Sequence, residues 1–585
     1  MPREHSEKLL RGTLILTPAL LFSKVVGLFY KVPLLSIVGV TGMAYFLSAY
    51  HVYSLLFVLS AAGLPAALAL QTAAVRVTGG PAAVRRVFFV SLAVFSALGT
   101  VGAAALFFFA RPLAAALSQP GAAACLFAIS PALLLAAFCG GARGYFQGRH
   151  TMIPTAVSEV IEAVGKLCFG LWFALTAKRR GMDTPRVAAA AVSGITAGLL
   201  LSALCLGVCL LTVACSAKRE KTPERQAVPT RRQVLSSLFR VALPITVSAS
   251  VMSFLSLVDT LVIPSGLLRA GYTEGVALSL YSCYGNLAVP LYNLVPALLS
   301  PVSLALAPLL SAALARGEKA GALAAWHSAW RLTLFLAVPA ALGLSAFALP
   351  VLTLIYRGQG EAVLTAAPLL SVLAVAVLPA SLLTLTAAAL QAAGRAGVPV
   401  IALSVGAGVK LLTEWLLLPR IGIMAAPVST LVCTVAVLVI ELSVLARLWP
   451  VLSPPVRRLF PPLLSAIPAV GGGMLLYFLL PPSPVRFLPA LALTALCYFP
   501  LALRCGAAER DDLLTLPGGR LLCRLLPTEK RKDVDHDERR KDDRVAAKGR
   551  IHRSGPDHNS RDPAPAGRMP VGQGTDPQEH PQRSH

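Results

Sequence analysis

Long apolar runs recur along nearly the whole sequence, and they decide what this chain can fold into. Windows of about 19 residues detect about fourteen of them, most at least as long as the roughly 20 residues that one helical crossing of a bilayer requires. The runs lie near residues 9–30, 43–69, 87–110, 122–142, 152–176, 187–215, 239–263, 277–312, 329–355, 363–390, 397–418, 421–446, 459–480 and 487–503. Charged residues make up 14% of the chain, against roughly 25% in soluble domains, so a soluble protein is excluded.

Helices are the only economical way for these runs to cross a membrane. A backbone in lipid must satisfy its own hydrogen bonds, and an α-helix does so within a single segment. The strands of a membrane β-barrel are about ten residues long and alternate apolar with polar positions, whereas these runs are longer and uniformly apolar. We therefore predict an all-α integral membrane protein with about 14 transmembrane helices.

The basic residues predict the orientation of the chain. The formal net charge is +25, and most of the excess lies in the loops between apolar runs. Loops on the side of the N-terminus carry about 21 Lys and Arg, among them Arg143 and Arg149, and loops on the other side carry about 10. Because basic loops stay in the cytoplasm, we predict a multi-pass membrane protein with both termini cytoplasmic. The same placement argues against a nucleic-acid partner.

Two distant stretches resemble each other and predict an internal repeat. Residues 147–166 read QGRHTMIPTAVSEVIEAVGK and residues 391–410 read QAAGRAGVPVIALSVGAGVK, so Gln, Gly-Arg, Pro, Ser and Lys recur in order. The second and eighth runs also resemble each other in sequence. We predict two pseudo-symmetric lobes of six helices each, related by an axis along the membrane normal with a cleft between them, and two further C-terminal helices.

The repeat divides the chain into five parts. They are an N-terminal lobe at 1–217, a basic cytoplasmic linker at 218–238, a C-terminal lobe at 239–447, two helices at 448–505 and a cytoplasmic tail at 506–585. Most of the tail mixes charges of both signs with almost no large apolar residues. Such a composition cannot bury a core, so the tail is predicted to be largely disordered.

Ionisable residues inside the apolar runs are the candidate functional residues, because a charge in lipid is costly and usually faces a cavity or a partner. Lys24, Lys166 and Lys410 each lie about 13 to 15 residues from the cytoplasmic end of their run, roughly 20 Å deep at 1.5 Å per residue. Three ammonium groups at one depth predict a cavity that receives an anionic headgroup. The predicted cavity also includes Glu162, Asp259 and Asn286.

Two of these lysines have a structural alternative. Glu162 and Lys166 are four residues apart, as are Lys410 and Glu414, so each pair can neutralise itself on one helix face. Asp259 has two open interpretations, a pair with a lysine across the cleft or a site for a cation.

Prolines mark candidate hinges, because each removes a backbone donor and favours a kink. The candidates are Pro65 in the second run and Pro290, Pro296 and Pro301 in the eighth. A bendable helix suits alternating access, and a permanently bent helix explains the prolines almost as well. The sequence contains no pattern with metal-ligand spacing, and we predict neither a metal site nor catalytic residues.

Three segments carry a family resemblance. They read SKVVGLFYKVPLLSIVG (23–39), YGNLAVPLYNLVPALLSPVSLALAP (284–308) and KLLTEWLLLPRIGIMAAPVST (410–430). In this order they resemble blocks of the stage V sporulation protein B-like polysaccharide biosynthesis proteins. That family belongs to the multidrug, oligosaccharidyl-lipid and polysaccharide exporter superfamily, whose members have twelve or fourteen helices in two lobes. Relatives include the MurJ-type flippases of the lipid-linked peptidoglycan precursor.

The resemblance implies both a function and a site. Lys24 matches a basic residue that lies in the central cavity of MurJ-type proteins, and Glu162 with Lys166 matches an acidic and basic pair in the fifth helix of the sporulation family. The implied function is a flippase of the bacterial cell membrane. It would move an undecaprenyl-diphosphate-linked glycan, a lipid II-like or other polysaccharide precursor, to the outer leaflet for cell-wall, spore-cortex or polysaccharide synthesis.

We expect a monomeric transporter, not an enzyme, whose partners are the lipid-linked glycan and membrane lipids. No cofactor is expected. Whether transport is coupled to an ion, Na⁺ or H⁺, is left open by the sequence. Two alternatives also stay open: a cation-coupled multidrug antiporter on the same fold, and an integral-membrane glycan transferase or polymerase.

Overall fold

A computed structural model describes residues 2–78, 80–149, 151–217, 229–450, 456–483, 485–509 and 512, and within them the chain is helical with no strand. The helices are α1 (Pro2–Phe57), α2 (Leu64–Thr78), α3 (Gly80–Phe108), α4 (Ala110–Ala116), α5 (Ala122–Gly148), α6 (Ile153–Arg179), α7 (Thr184–Ala217), α8 (Arg231–Arg269), α9 (Glu274–Ser282), α10 (Val289–Ala315), α11 (Lys319–Ala346), α12 (Ala348–Ile355), α13 (Gly360–Val375), α14 (Val377–Ala392), α15 (Gly397–Ile421), α16 (Ala425–Leu448), α17 (Phe460–Leu479) and α18 (Phe487–Arg504).

The all-helical membrane class is confirmed, and the count of fourteen crossings is approximate. Within the described ranges, 11 stretches are long and apolar enough to cross a membrane, or 12 if α13 and α14, bent by 41°, form one span. Three stretches are 42 to 52 residues long, far above the roughly 20 that one crossing needs. All of the predicted apolar runs fall on helices, so the difference lies in how consecutive helices are divided into spans.

Irregular helix geometry marks the second and the eighth apolar runs. Gly39, inside α1, has φ 80°, a left-handed conformation that glycine adopts without a Cβ penalty, and it separates the first run from the second. A π-helical segment (Val58–Ala62) then joins α1 to α2. A second π-helical segment (Cys283–Ala288) joins α9 to α10 in the eighth run. Such segments interrupt the regular ladder of helical hydrogen bonds.

Helices α6 and α7 approach each other closely because glycines face the contact. A Cβ on Gly198 of α7 would lie 2.7 Å from the backbone nitrogen of Lys166 and 2.8 Å from the carbonyl oxygen of Glu162. Small residues allow this backbone approach, which is a main source of helix association in membranes. The backbone of α7 therefore packs directly against the part of α6 that carries Glu162 and Lys166.

The two halves of the chain touch along the second apolar run. The hydrogen-bond contacts are Thr41 with Ser279 (Oγ1 to Oγ, 3.4 Å), Met43 O with Asn286 Nδ2 (3.0 Å), His51 Nδ1 with Thr260 Oγ1 (2.7 Å), Ser54 with Ser253 (Oγ to Oγ, 3.4 Å) and Gln71 Nε2 with Val234 O (3.1 Å). Because these contacts follow the run from one end to the other, the halves are closed against each other along this edge.

Helix α11 holds the C-terminal helices and the chain that follows them. Tyr498 of α18 donates a hydrogen bond to the carbonyl oxygen of Phe335 at 2.6 Å. Arg331 Nε lies 2.8 Å from Asp512 Oδ2, and Arg331 Nη1 lies 2.5 Å from Glu509 Oε1. Arg331 and Asp512 are both buried. Most of the predicted tail and residues 218–228 of the predicted linker lie outside the described residues, while the end of that linker forms the start of α8.

Candidate functional site

Glu162 is the centre of a charged cluster in the N-terminal half. Its Oε2 lies 2.7 Å from Arg143 Nη2, and its Oε1 accepts a hydrogen bond from Lys166 Nζ. Arg143 also donates to Ser158 Oγ from Nε and to Ser202 Oγ from Nη2, both at 3.0 Å. We call these five residues the N-terminal cluster. Within it, one carboxylate is shared by two cations.

Three helices build the N-terminal cluster. Arg143 comes from α5, Ser202 from α7, and α6 places Glu162 and Lys166 one turn apart on the same face. The prediction that Arg143 lies in a cytoplasmic loop was wrong, because α5 continues to Gly148 and the guanidinium pairs with α6. The sequence signal was an arginine directly after an apolar run, with Gly140, Gly141 and Gly144 around it to permit close helix contact.

Lys166 is the accessible member of the cluster. Its side chain is 33% exposed, whereas the side chains of Arg143 and Glu162 are 17% and 14% exposed. An ammonium has three donor hydrogens, and Glu162 takes one of them in this structure. Glu159, half-buried one turn before Glu162, is close enough to interact electrostatically with the cluster. The arrangement holds an accessible cation in place with a partly buried carboxylate, which suits the recognition of an anion.

A second cluster of charged side chains lies in the C-terminal half and is almost completely buried. Lys410 Nζ lies 2.5 Å from Asp259 Oδ1 and 3.9 Å from Glu414 Oε1. Ser429 Oγ donates to Glu414 Oε1 at 2.9 Å. The side chains of Lys410, Asp259 and Glu414 are 7%, 12% and 0% exposed. We call these four residues the C-terminal cluster.

The two repeat-related lysines share a depth and differ in environment. Lys166 and Lys410 are each the 14th residue of their helix, counted from Ile153 and Gly397. Both make the predicted pair with a glutamate four residues away, but Lys410 is closer to Asp259. Asp259 does pair with a lysine, and that lysine belongs to its own half and not to the other side of a cleft. The structure therefore separates the two lysines into different clusters.

Of the other predicted site residues, those whose side chains the structure describes join neither cluster. The backbone of α1 passes through Lys24, and the Lys24 side chain lies outside the described residues. Asn286 is buried at the contact between the halves, where its Nδ2 donates to Met43 O at 3.0 Å. Pro65 and Pro290 are the second residues of α2 and α10, just after the two π-helical segments, while Pro296 and Pro301 lie inside the continuous helix α10. The hinge role stays a prediction.

A hydrogen-bonded group next to the C-terminal cluster reaches across to the N-terminal half. Thr260 Oγ1 lies 2.7 Å from His51 Nδ1 and 2.9 Å from the hydroxyl oxygen of Tyr281. His51 belongs to the second apolar run, and Thr260 follows Asp259 on α8. The sequence prediction did not include this group, because it depends on how α1, α8 and α9 pack.

Comparison with known sequences gives one family and several relatives. The family described as polysaccharide biosynthesis protein matches residues 9–314, just over half of the chain. An uncharacterised membrane protein, YabM, of Bacillus subtilis is 26% identical over 530 residues, covering 88% of this chain and 96% of the relative. The stage V sporulation protein B of the same organism is 26% identical over 450 residues (76% and 84%), and its lipid II flippase MurJ is 25% identical over 440 residues (72% and 79%).

Comparison with solved structures gives the same fold. A structure of the lipid II flippase MurJ in an inward closed conformation aligns with a TM-score of 0.62 at 15% identity, covering 84% of this chain and 99% of that one. An inward-facing multidrug resistance transporter of the MATE family aligns with a TM-score of 0.55 at 15% identity, covering 73% and 98%. Those of these proteins that have a named activity are transporters and flippases, not enzymes. The chain belongs to the polysaccharide biosynthesis protein family, and it has the helical membrane fold of the MurJ flippase and the MATE transporter.

Proposed function

We propose that this protein moves an undecaprenyl-diphosphate-linked glycan from the inner to the outer leaflet of a bacterial cell membrane. The observation that carries the proposal is the one-third exposed side chain of Lys166 inside a membrane-spanning helix, with its ammonium bonded to the partly buried Glu162. An ionisable group in such a position is costly unless it faces a partner or a polar cavity. The polysaccharide biosynthesis family and the similarity to a lipid II flippase support a lipid-linked glycan as that partner.

The chemistry of the N-terminal cluster suits a diphosphate. Lys166 offers a compact positive charge, and Arg143 stands behind it as a second cation that shares Glu162. Phosphate oxygens accept charge-assisted hydrogen bonds from both residue types. Lys410, which the sequence placed in the same cavity, is buried against Asp259, so the proposed anion site is confined to the N-terminal half. Lys24 remains a proposed third cation of this site.

Transport requires the contact between the halves to open. In this structure the contacts run from Thr41 with Ser279 to Gln71 with Val234. Rocking of the halves would expose the headgroup first on the cytoplasmic side and then outside, while the lipid tail stays in the bilayer. Pro65 and Pro290, next to the π-helical segments, are the proposed hinges. An inside-negative potential favours outward movement of each negative charge by about 2.3 kcal/mol per 100 mV.

The test uses the purified chain in vesicles that contain an undecaprenyl-diphosphate disaccharide labelled on the sugar. A membrane-impermeant reagent reports how fast inner-leaflet label reaches the outside. We expect protein-dependent exposure of this lipid and little exposure of a neutral glycolipid with the same tail. Equal movement of the neutral lipid would contradict an anion site. Transport of a small organic cation in exchange for Na⁺ or H⁺, without lipid movement, would favour the antiporter alternative.

A further inference from the structure

The C-terminal cluster holds more acid than base. Asp259 and Glu414 stand around the single ammonium of Lys410, so their formal charges add to −1. Glu414 is fully buried, and Lys410 and Asp259 are nearly so. Burying an uncompensated charge in a medium of low polarity is very costly, so the cluster requires one more positive charge.

The two carboxylates also lie close to each other. Both approach the same ammonium, since Lys410 Nζ is 2.5 Å from Asp259 Oδ1 and 3.9 Å from Glu414 Oε1. Glu414 Oε1 accepts from Ser429, and Glu414 Oε2 is buried with no hydrogen-bond partner among the described residues. Ionised carboxylates are acceptors only, so two of them repel each other at this range. A single proton on one of them neutralises that carboxylate and removes the repulsion.

We propose that the C-terminal cluster is a proton-binding site, in which Lys410 is a built-in cation and Glu414 carries the exchangeable proton. In the binding step the Glu414 carboxylate takes up one proton and becomes a carboxylic acid, and the charge of the cluster goes from −1 to 0. No other bond changes. The ammonium, 2.5 Å from Asp259 and 3.9 Å from Glu414, occupies the place between the carboxylates that a free metal cation would need.

The position of the cluster links proton binding to the contact between the halves. Asp259 is followed by Thr260, whose hydroxyl lies 2.7 Å from His51 of the N-terminal half. A change of charge at Asp259 and Glu414 therefore acts one residue away from a contact that must break for the halves to part. Other titratable groups that face the cluster are Tyr281, Tyr284, Tyr292, Cys433 and His51. The inference does not depend on the nature of the transported lipid.

Infrared difference spectroscopy of the purified chain, titrated with acid and base, tests the proton directly. A protonated carboxylic acid has a carbonyl stretching band that a carboxylate lacks. We expect a titrating band in the wild type that Glu414→Gln removes. Glu441→Gln is the matched control, since Glu441 is also a buried glutamate, on the neighbouring helix α16, and accepts a hydrogen bond from Thr386 instead. A spectrum in which Glu414→Gln leaves all titrating bands in place would overturn the proposal.

A second variant tests the built-in cation. Lys410→Met removes the ammonium and leaves two buried carboxylates, so this variant is expected to gain thermal stability when choline chloride is replaced by sodium chloride at equal ionic strength. The wild type is expected to show no such preference. Sodium-specific stabilisation of the wild type would show that a free cation fits beside Lys410, and absence of a sodium effect in Lys410→Met would show that the carboxylates form no cation site. Either result would overturn the role assigned to Lys410.

Discussion

Arg143 of α5 and Glu162 of α6 meet at 2.7 Å inside the N-terminal half, and this pair holds the accessible Lys166 in place. The guanidinium is further bonded to Ser158 and Ser202, so it joins α5, α6 and α7 at one point. The first prediction follows from that role.

Arg143→Leu should lower the stability of the folded chain by about 3 kcal/mol, because it leaves the Glu162 side chain, which is only 14% exposed, with a single cation. The measurement is thermal unfolding in detergent. Arg186→Leu is the control, since Arg186 is an exposed residue whose ion pair with Asp183 at 3.3 Å is expected to contribute little. Equal stability of the two variants would mean that the Arg143 pair does not hold these helices together.

Gly198→Ala should destabilise the contact between α6 and α7 by about 1–3 kcal/mol, because the added methyl group would overlap the backbone of Lys166 and Glu162. Gly207→Ala, on the same helix, is the matched control, since a Cβ there meets nothing within 4 Å. The temperature of thermal unfolding and the rate of lipid exposure should both be lower in Gly198→Ala than in the wild type. A Gly198→Ala variant that behaves like Gly207→Ala would contradict the close approach.

Ser54→Cys combined with Ser253→Cys should form a disulfide between the halves, because the two hydroxyl oxygens that the sulfur atoms would replace are 3.4 Å apart and small side-chain rotations can bring the sulfurs to the roughly 2 Å of a disulfide bond. If the halves must separate for transport, oxidation should stop lipid exposure and reduction should restore it. Each single cysteine variant, treated with the same oxidant, controls for the native cysteines. Full transport by the cross-linked protein would exclude separation at this contact.

Arg331→Met should destabilise the protein by about 3–5 kcal/mol, because Asp512 would stay buried without its main cation. Arg316→Met is the comparison, since Arg316 is exposed and its pair with Glu318 at 3.3 Å lies at the surface. Limited proteolysis after α18 should also become faster in Arg331→Met alone. Unchanged proteolysis would mean that Arg331 does not anchor this segment.

The sequence predicted the helices well because the physics of a bilayer leaves few alternatives to them. It also predicted the common depth of Lys166 and Lys410, since depth along a helix follows from residue number. It did not predict that Asp259 pairs with Lys410 or that Arg143 pairs with Glu162. Both pairs join residues of different helices, and whether such residues meet depends on helix rotation and packing.

The sequence was also a limited guide to how the apolar runs divide into membrane spans. Gly39 and the π-helical segments (Val58–Ala62 and Cys283–Ala288) break or extend helices without any strong change in hydropathy. A hydropathy window therefore finds the apolar runs and leaves their ends uncertain by several residues. That uncertainty is also why Arg143, one residue beyond a predicted run, was assigned to a loop.

The most direct test of the central claim is the initial rate at which the labelled undecaprenyl-diphosphate disaccharide reaches the outer leaflet in vesicles with Lys166→Gln. A charged hydrogen bond contributes roughly 1.5–3 kcal/mol, so the rate should fall by about tenfold or more. Lys178→Gln, on the same helix but exposed in its last turn, should keep the wild-type rate. A folded Lys166→Gln protein that moves the lipid as fast as Lys178→Gln would contradict the role of the N-terminal cluster in binding the headgroup.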